Sequence, residues 1–164
     1  MLDPLTVFDA SGPFDEPLTD DALLAVETIL GHRLPAAYVD LCRRHNGGRL
    51  ARTAHPAPAR TSWAQDHVGV DLLYAISQTA EYGVAGEFGS EYMRHEWEWP
   101  DLGVYVALTP AAGYEAIALD YRTPGEPAVV HVDGDRDNQI TLLAPDFETF
   151  ILGLVPESDY PEIP

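Results

Sequence analysis

The apolar positions of this chain follow helical spacing near both ends and strand spacing in between. Leu23, Val26 and Leu30 recur three and four residues apart, which is the pattern of a helix with one buried face. Thr19 before them is a typical N-cap, and Gly31 after them is a typical C-terminal stop. The pattern therefore predicts an amphipathic helix between Thr19 and Gly31.

A second helix is predicted directly afterwards, between Leu34 and Gly48. Pro35 suits its first turn, because the fixed φ of proline is already helical and its missing N–H would be unpaired there. One face of this helix is apolar and carries Tyr38, Leu41 and Cys42. The helix is expected to stop at residues that tolerate left-handed backbone, namely Asn46, Gly47 and Gly48. Neither short helix buries its apolar face alone, so we expect the two to pack as a pair.

The middle of the chain shows the two-residue period of strands. Alternating apolar residues between Val68 and Ile76 predict one half-buried strand. Further short strands are predicted at 104–108, 116–121, 128–132 and 140–143, the last at an edge of the sheet. The turn residues between them favour antiparallel connections. A final helix is expected to start at Asp146, with an apolar face of Phe147, Phe150, Ile151 and Leu154.

These elements predict the fold class α+β. The expected architecture is an N-terminal helix pair, a central antiparallel or mixed meander of strands, and a C-terminal helix packed on the sheet. The length of 164 residues suits one domain with a single core. We divide the chain into an irregular lead-in over residues 1–18, one domain over 19–155 and a loose acidic tail over 156–164.

Charge is the bulk property that most narrows the function. The formal charge is −18 at pH 7, which repels the phosphates of nucleic acids and the surfaces of anionic membranes. We therefore expect neither nucleic acid nor a membrane as a partner. The same charge attracts and steers a basic protein, although acidity also serves to keep a small protein in solution.

Several features favour a cytoplasmic protein. Cys42 is the single cysteine, so no internal disulfide is expected, and its place on an apolar helix face favours a small buried hydrophobe over a nucleophile. Residues 1–16 do not show the basic start and apolar core of a secretory signal. No apolar run approaches the ~20 residues that span a bilayer.

Motifs for catalysis and metal binding are incomplete in this sequence. His95-Glu96 begins like a zinc-protease helix, but Trp99 replaces the second histidine one turn later. Residues 133–138 have the alternating acidic spacing of an EF-hand loop, yet Asn138 and Ala144 stand where that loop needs glycine and glutamate. We expect a polar hairpin turn there. The prediction is no enzyme, no metal site and no cofactor, although carboxylates that meet only in the fold are left open.

Three motifs, in order along the chain, resemble those of the SMI1/KNR4 (SUKH) family. The first is a Leu-Pro-x-x-Tyr helix with an Asn-Gly-Gly stop, carried by Leu34, Pro35, Tyr38, Asn46, Gly47 and Gly48. The second runs from Trp99-Pro100-Asp101 to Ala118-Leu119-Asp120-Tyr121 and resembles the central strands. The third is the closing Phe-x-x-Phe helix within 145–151. The resemblance covers residues 19–155, and we interpret the first motif as a set of fold determinants rather than a binding site.

The resemblance implies a non-enzymatic, protein-binding fold. Many bacterial members look like immunity proteins that bind and neutralise a toxin domain, often a nuclease, and this is our leading hypothesis. A regulatory or scaffold module is the alternative, and an uncharacterised enzyme ranks below both. On charge grounds the expected partner is a basic toxin domain, while the oligomeric state is left open. The candidate contacts lie on the acidic segment 79–99 and on the turn near residue 135: Glu87, Glu91, Glu96, Glu98, Asp133, Asp135 and Asp137.

Overall fold

The computed structural model describes residues 1–111 and 113–161 and shows an α+β fold, as the sequence predicts. Its helices are α1 (Pro4–Val7), α2 (Asp20–Leu30), α3 (Ala36–Arg44), α4 (Ser90–Glu96) and α5 (Phe147–Leu152). Its strands are β1 (Gly48–Arg49), β2 (Ala54–Pro56), β3 (His67–Gly69), β4 (Leu72–Leu73), β5 (Gly103–Leu108), β6 (Glu115–Asp120), β7 (Ala128–Asp133) and β8 (Gln139–Ala144). Short 3₁₀ turns lie at Gly134–Arg136 and Glu157–Asp159. Residues 162–164 of the predicted tail lie outside the described residues.

Six strands form the central sheet in the order β1-β4-β5-β6-β7-β8. Its pairings are antiparallel, and β5 to β8 follow one another as a meander with β8 at the predicted edge. Tight turns allow this arrangement because antiparallel neighbours need no long crossover. Helix α5 contacts β7 and β8, while α4 contacts β5. The predicted meander and the helix packed on it are thus confirmed.

The single strand predicted between Val68 and Ile76 is wrong. The structure divides this stretch into β3, which pairs with β2 in a separate sheet, and β4, which pairs with β1 and β5. Leu72 and Leu73 are buried at consecutive positions, so both faces of the chain are covered here. A half-buried strand would instead alternate between buried and exposed side chains.

Both N-terminal helices form where the sequence predicts them. Thr19 caps α2, with its Oγ1 accepting a hydrogen bond from the N–H of Ala22 at 3.2 Å, and Gly31 ends that helix at φ 72°. Pro35 stands at the N-cap of α3 rather than inside its first turn. Cys42 is fully buried, and burial raises the pKa of its thiol to about 12. It is therefore the packed hydrophobe that the sequence predicts, because a reactive cysteine needs a low pKa.

Helix α3 packs chiefly against α5, whereas we expected α2 as its partner. Tyr38 on α3 stacks on Phe147 of α5 with ring centroids 4.7 Å apart. Between α2 and α3 the structure shows polar links, including an ion pair of 2.6 Å between Arg43 and Asp20. The stacking of Tyr38 on Phe147 therefore makes α5 the main partner of α3. The neighbouring helix α2 closely precedes α3 in sequence but does not bury the Tyr38 ring.

The chain leaves α3 through Asn46 and Gly47, which have different roles. The side chain of Asn46 joins two segments: Nδ2 donates to the carbonyl oxygens of Glu16 at 3.0 Å and Ile76 at 3.2 Å, and Oδ1 accepts from the N–H of Ile76 at 2.8 Å. The expectation of left-handed backbone holds for Gly47, at φ 79°, but not for Asn46. A Cβ on Gly47 would lie 2.6 Å from the backbone nitrogen of Ala75, so glycine permits a close approach of two backbones.

Both ends of the described chain pack against the domain. Helix α1 lies within the stretch expected to be irregular, and Phe8 just after it is buried and stacks on His45 with ring centroids 4.1 Å apart. In the stretch expected to be a loose tail, Tyr160 stacks on His67 at 3.8 Å. An aromatic contact therefore helps to anchor each end, and isolated anchors leave no periodic pattern in a sequence.

His55 leads us to expect a loss of stability in mild acid. Its side chain lies on β2 and stacks on Phe150 at 5.0 Å, and burial lowers the pKa of His55 below its ordinary value. Below the unfolded pKa of about 6.5, the unfolded chain therefore binds more protons than the folded one. The free energy of unfolding should fall as the pH drops through about 6.5 toward the lowered folded pKa.

Urea unfolding at about pH 7.5 and about pH 5.5 measures this loss. His55→Gln should reduce the stability difference between the two conditions, with a remainder from His45, whose pKa burial also lowers. His95→Gln changes an exposed histidine of α4 and should leave the difference intact. An unchanged pH dependence in His55→Gln would contradict the prediction.

Candidate protein-binding surface

The acidic segment 79–99 begins as a compact coil and ends in α4. Ser77 starts the coil, with its Oγ accepting a hydrogen bond from the N–H of Ala80 at 3.0 Å. Short-range backbone bonds follow, among them Gly83 N–H to Ala80 O and Gly86 N–H to Gly83 O, each at 3.0 Å. A Cβ on Gly86 would overlap the carbonyl oxygen of Ala80. The glycines that interrupt the sequence pattern thus let the coil turn back on its own backbone.

An aromatic groove of about 170 Å³ opens beside this segment. Its lining includes Tyr74, Tyr82, Phe88, Tyr92 and Trp97. Neighbouring rings support one another, with centroids 5.8 Å apart for Tyr82 and Phe88 and 5.1 Å apart for Phe88 and Tyr92. The Tyr74 hydroxyl donates to the carbonyl oxygen of Phe88 at 2.9 Å, and burial raises the pKa of Tyr74. The groove therefore presents ring faces that are held in place by packing.

Two tryptophans attach the end of the segment to the sheet. Trp97 is 39% exposed and rests over Gly113, where any side chain would overlap its ring. Trp99 is buried and packs on Tyr105 with centroids 5.4 Å apart. The tryptophans anchor an exposed acidic stretch, as the sequence predicts.

Three predicted contact carboxylates belong to residues that are next in sequence to rings of this groove. Glu87 directly precedes Phe88, while Glu96 and Glu98 lie on either side of Trp97, and these three glutamates are exposed. We call the lining together with Glu87, Glu96 and Glu98 the acidic groove. Glu98 adopts φ 54°, a conformation that is uncommon for glutamate and easier for asparagine.

Glu91 has a different environment from the other glutamates of the segment. It is exposed, but it lines a separate pocket with Leu30 and Arg94. Arg94 is itself held by Asp101, with 2.9 Å between Nη1 and Oδ1. Glu91 thus lines a different pocket from the rings, and we leave it out of the acidic groove.

The turn after β7 lies next to Trp99, at the end of the acidic segment. Asp135 and Asp137 are exposed in this turn. A Cβ on Gly134 would lie 3.8 Å from Nε1 of Trp99, so the turn and the anchored end of the acidic segment are neighbours. The fold therefore brings this turn close to the end of the acidic segment.

Asp133 does not belong to that surface. Its side chain is fully buried, and its carboxylate accepts hydrogen bonds from the backbone N–H of Ser62 at 2.7 Å and from the Ser62 hydroxyl at 2.9 Å. Because a buried side chain offers a partner no surface, our prediction of Asp133 as a contact residue is wrong. The sequence shows acidic residues at 133, 135 and 137 alike, and this spacing does not reveal that Asp133 is the last residue of β7 while the other two lie in the turn.

The sheet gathers three buried polar residues that lie apart in the sequence. Glu115 pairs with Asp133 across β6 and β7, and His131 precedes Asp133 by two residues, so all three side chains share one face. One potential ligand atom from each lies within 4.8 Å of the other two. The sequence analysis missed this cluster because the pairing register of β6 and β7 brings Glu115 to the other two residues. The sequence itself shows only that His131 and Asp133 are two residues apart in a predicted strand.

The residues of the Leu-Pro-x-x-Tyr and Asn-Gly-Gly motif are buried away from the rim of the acidic groove. They are Leu34, Pro35, Tyr38, Asn46, Gly47 and Gly48. The Tyr38 hydroxyl donates to the carbonyl oxygen of Tyr74 at 2.5 Å, which links the motif to the floor of the groove. Their burial supports the interpretation of these residues as fold determinants.

The acidic groove is chemically suited to hold basic side chains. An arginine or lysine over a tyrosine or tryptophan face gains a cation–π contact, and a neighbouring carboxylate adds a charged hydrogen bond. Exposed ion pairs alone contribute little. The combination of fixed rings and flanking charge is therefore more favourable for binding than acidity by itself.

One family of known proteins matches most of this chain. The family model described as SMI1 / KNR4 family (SUKH-1) matches residues 17–153 of the chain. No curated protein and no solved structure matched it. Within residues 1–111 and 113–161, no helix has the length and apolar character needed to cross a bilayer.

Proposed function

Because the chain belongs to the SMI1 / KNR4 family (SUKH-1), as its sequence motifs predict, we propose that it is a non-enzymatic immunity protein that binds and neutralises a cognate bacterial toxin. The observation that supports a basic partner is the acidic groove, where rings line a groove and the residues next to them in sequence carry exposed carboxylates. The proposed domain spans residues 19–155, and the proposed setting is the cytoplasm of the cell that needs protection.

Recognition begins with charge in this proposal. The net charge of −18 accelerates the encounter with a basic domain. Glu87, Glu96 and Glu98 then meet arginine or lysine side chains of the toxin. If the toxin is a nuclease, these carboxylates occupy the place of nucleic-acid phosphates and exclude the substrate by competition.

Short-range contacts determine how long the complex lasts. Aromatic residues contribute strongly at interface centres, where they are fully desolvated. Trp97 and Tyr92 offer such area beside the carboxylates, and the packing of Trp97 over Gly113 holds its ring before the partner arrives. Salt is therefore expected to slow association more than it speeds dissociation.

The proposal predicts that a secreted toxin is encoded beside the gene for this chain, and that toxin is the protein to test. Co-expression of the two proteins should restore growth that the toxin alone prevents. In stopped-flow binding at low salt, the combined variant Glu87→Gln, Glu96→Gln and Glu98→Asn should lower the association rate constant roughly tenfold. Asparagine is chosen at position 98 because it tolerates the left-handed backbone.

A matched control separates the groove from the overall charge. The combined variant Glu16→Gln, Asp21→Asn and Glu126→Gln removes the same number of charges at exposed positions elsewhere and should bind nearly as fast as the wild type. Equal slowing by both variants would refute the acidic groove as the contact surface. Absence of both binding and rescue would refute the immunity function, and tight binding without rescue would favour the regulatory alternative.

A further inference from the structure

The buried cluster of Glu115, His131 and Asp133 contains polar atoms that the protein does not satisfy. Among the described residues, Nδ1 and Nε2 of His131 and Oε1 of Glu115 have no hydrogen-bond partner. His131 Nε2 and Glu115 Oε1 are 3.1 Å apart, but they are not aligned as donor and acceptor. Since buried polar atoms are normally satisfied, Nε2 of His131 and Oε1 of Glu115 are suited to bind one common ligand.

The charge of the cluster indicates a cation as that ligand. Two carboxylates and one imidazole lie together with at most 2% of any residue exposed. Carboxylate oxygens and imidazole nitrogen are ligands for cations, and a bound cation offsets the cost of burying carboxylates. A divalent cation bound by two carboxylates and a neutral imidazole makes the site neutral.

The ligand types favour a transition metal. Imidazole nitrogen with carboxylate oxygens is a set that zinc and its neighbours accept, whereas calcium prefers six or more oxygen ligands. Two atoms that each bind one zinc ion at about 2.1 Å in tetrahedral geometry are about 3.4 Å apart. The separation of 3.1 Å between His131 Nε2 and Glu115 Oε1 is close to that value.

Ser62 holds the carboxylate of Asp133, the third candidate ligand, in place. Its N–H and hydroxyl both donate to the Asp133 carboxylate, at 2.7 and 2.9 Å. Such outer hydrogen bonds are typical of metal-binding carboxylates, which they orient. The loop that carries Ser62 is also tied to the sheet by Gln139, whose Nε2 donates to the carbonyl oxygen of Arg60 at 3.0 Å.

We propose that Glu115, His131 and Asp133 bind one divalent transition-metal ion, and that this ion fixes the Ser62 loop on the sheet. The inference is independent of the proposed toxin neutralisation, because the cluster is buried and distinct from the acidic groove. It departs from the sequence-based prediction, which included no metal site.

Zinc binding to the full chain tests the proposal. After chelator treatment, the wild type should take up one Zn²⁺ per chain in competition with a chromogenic chelator, and Co²⁺ should give the visible absorption of a four- or five-coordinate site. His131→Gln should weaken zinc binding at least 100-fold. Ser62→Ala changes an exposed loop residue, is expected to leave the fold intact, and should weaken binding about tenfold.

His95→Gln is the matched control, because His95 is an exposed histidine of α4. It should bind zinc like the wild type. A wild-type chain that takes up no zinc at one equivalent, or equal weakening by His95→Gln and His131→Gln, would overturn the proposal. A failure of His131→Gln to fold does not remove the test, because the wild-type stoichiometry, the cobalt spectrum and Ser62→Ala remain decisive.

Limited trypsin digestion measures the effect on the loop. Arg60 is exposed on the Ser62 loop, and Arg122 is exposed in the turn between β6 and β7. Zinc should slow cleavage after Arg60 several-fold relative to cleavage after Arg122. The same relative rate with zinc and with chelator would contradict the proposed role of the ion in fixing the loop.

Discussion

Gly47→Val is expected to lower the free energy of unfolding by about 4 kcal/mol, which is most of the stability of a domain at the low end of the ordinary range. Two costs add at this position. The backbone has φ 79°, where a residue with a side chain is strained by about 1–2 kcal/mol. The added Cβ also lies 2.6 Å from Ala75 N and 2.8 Å from Ala75 Cα, and the backbone atoms of a buried residue cannot move aside at low cost.

Gly31→Val isolates the first of these costs. Gly31 has φ 72°, close to that of Gly47, but a Cβ there meets no atom within 4 Å among the described residues. Its loss should therefore be only about 1–2 kcal/mol. Urea unfolding of both variants measures the difference. Equal losses would show that the close approach to Ala75 is unimportant. Wild-type stability with lost partner binding in Gly47→Val would make this stretch a binding site rather than a fold determinant.

Asn46→Ala is expected to cost about 3 kcal/mol of stability. The Asn46 side chain is 2% exposed and makes three hydrogen bonds to the backbone of Glu16 and Ile76. Removing it leaves the buried N–H and C=O of Ile76 without these partners, and unsatisfied buried groups are more costly than the mean hydrogen bond suggests. Chemical denaturation measures the loss, and hydrogen exchange should show a faster amide at Ile76.

Asn46→Asp distinguishes hydrogen bonding from shape. Aspartate has nearly the same shape and keeps an oxygen that accepts from the Ile76 N–H, but it replaces the donor Nδ2 with an oxygen. That oxygen faces the carbonyl oxygens of Glu16 and Ile76, at the 3.0 and 3.2 Å observed for the amide. We expect Asn46→Asp to be at least as destabilising as Asn46→Ala. Near-wild-type stability of the aspartate variant would show that packing, and not donation, is what matters.

Local signals in the sequence were sufficient for most of the fold. Helix caps such as Thr19 and the alternation of apolar residues in short strands depend only on nearby residues. The α+β class and the meander could therefore be predicted from the sequence. The stretch from Val68 to Ile76 could not, because it is covered on both faces by segments far away in the chain. The choice of α5 over α2 as the partner of α3 likewise depends on one long-range contact between Tyr38 and Phe147.

The surface was less predictable than the fold. Exposure of Glu87, Glu91, Glu96 and Glu98 follows from their charge, which keeps them in water. The aromatic groove beside them arises from residues on different elements, so only the folded chain reveals it. Asp133 illustrates the opposite error: a carboxylate is buried because Ser62, 71 residues away, supplies two donors.

The hydrogen-bonded coil that begins at Ser77 has a thermodynamic consequence for complex formation. Its backbone is already fixed by short-range bonds such as Gly86 N–H to Gly83 O, so little conformational entropy remains to be lost when a partner docks. Disordered acidic tails lose much of their interaction energy to ordering. A preorganised surface retains that energy as affinity, so the proposed complex is expected to have a long residence time.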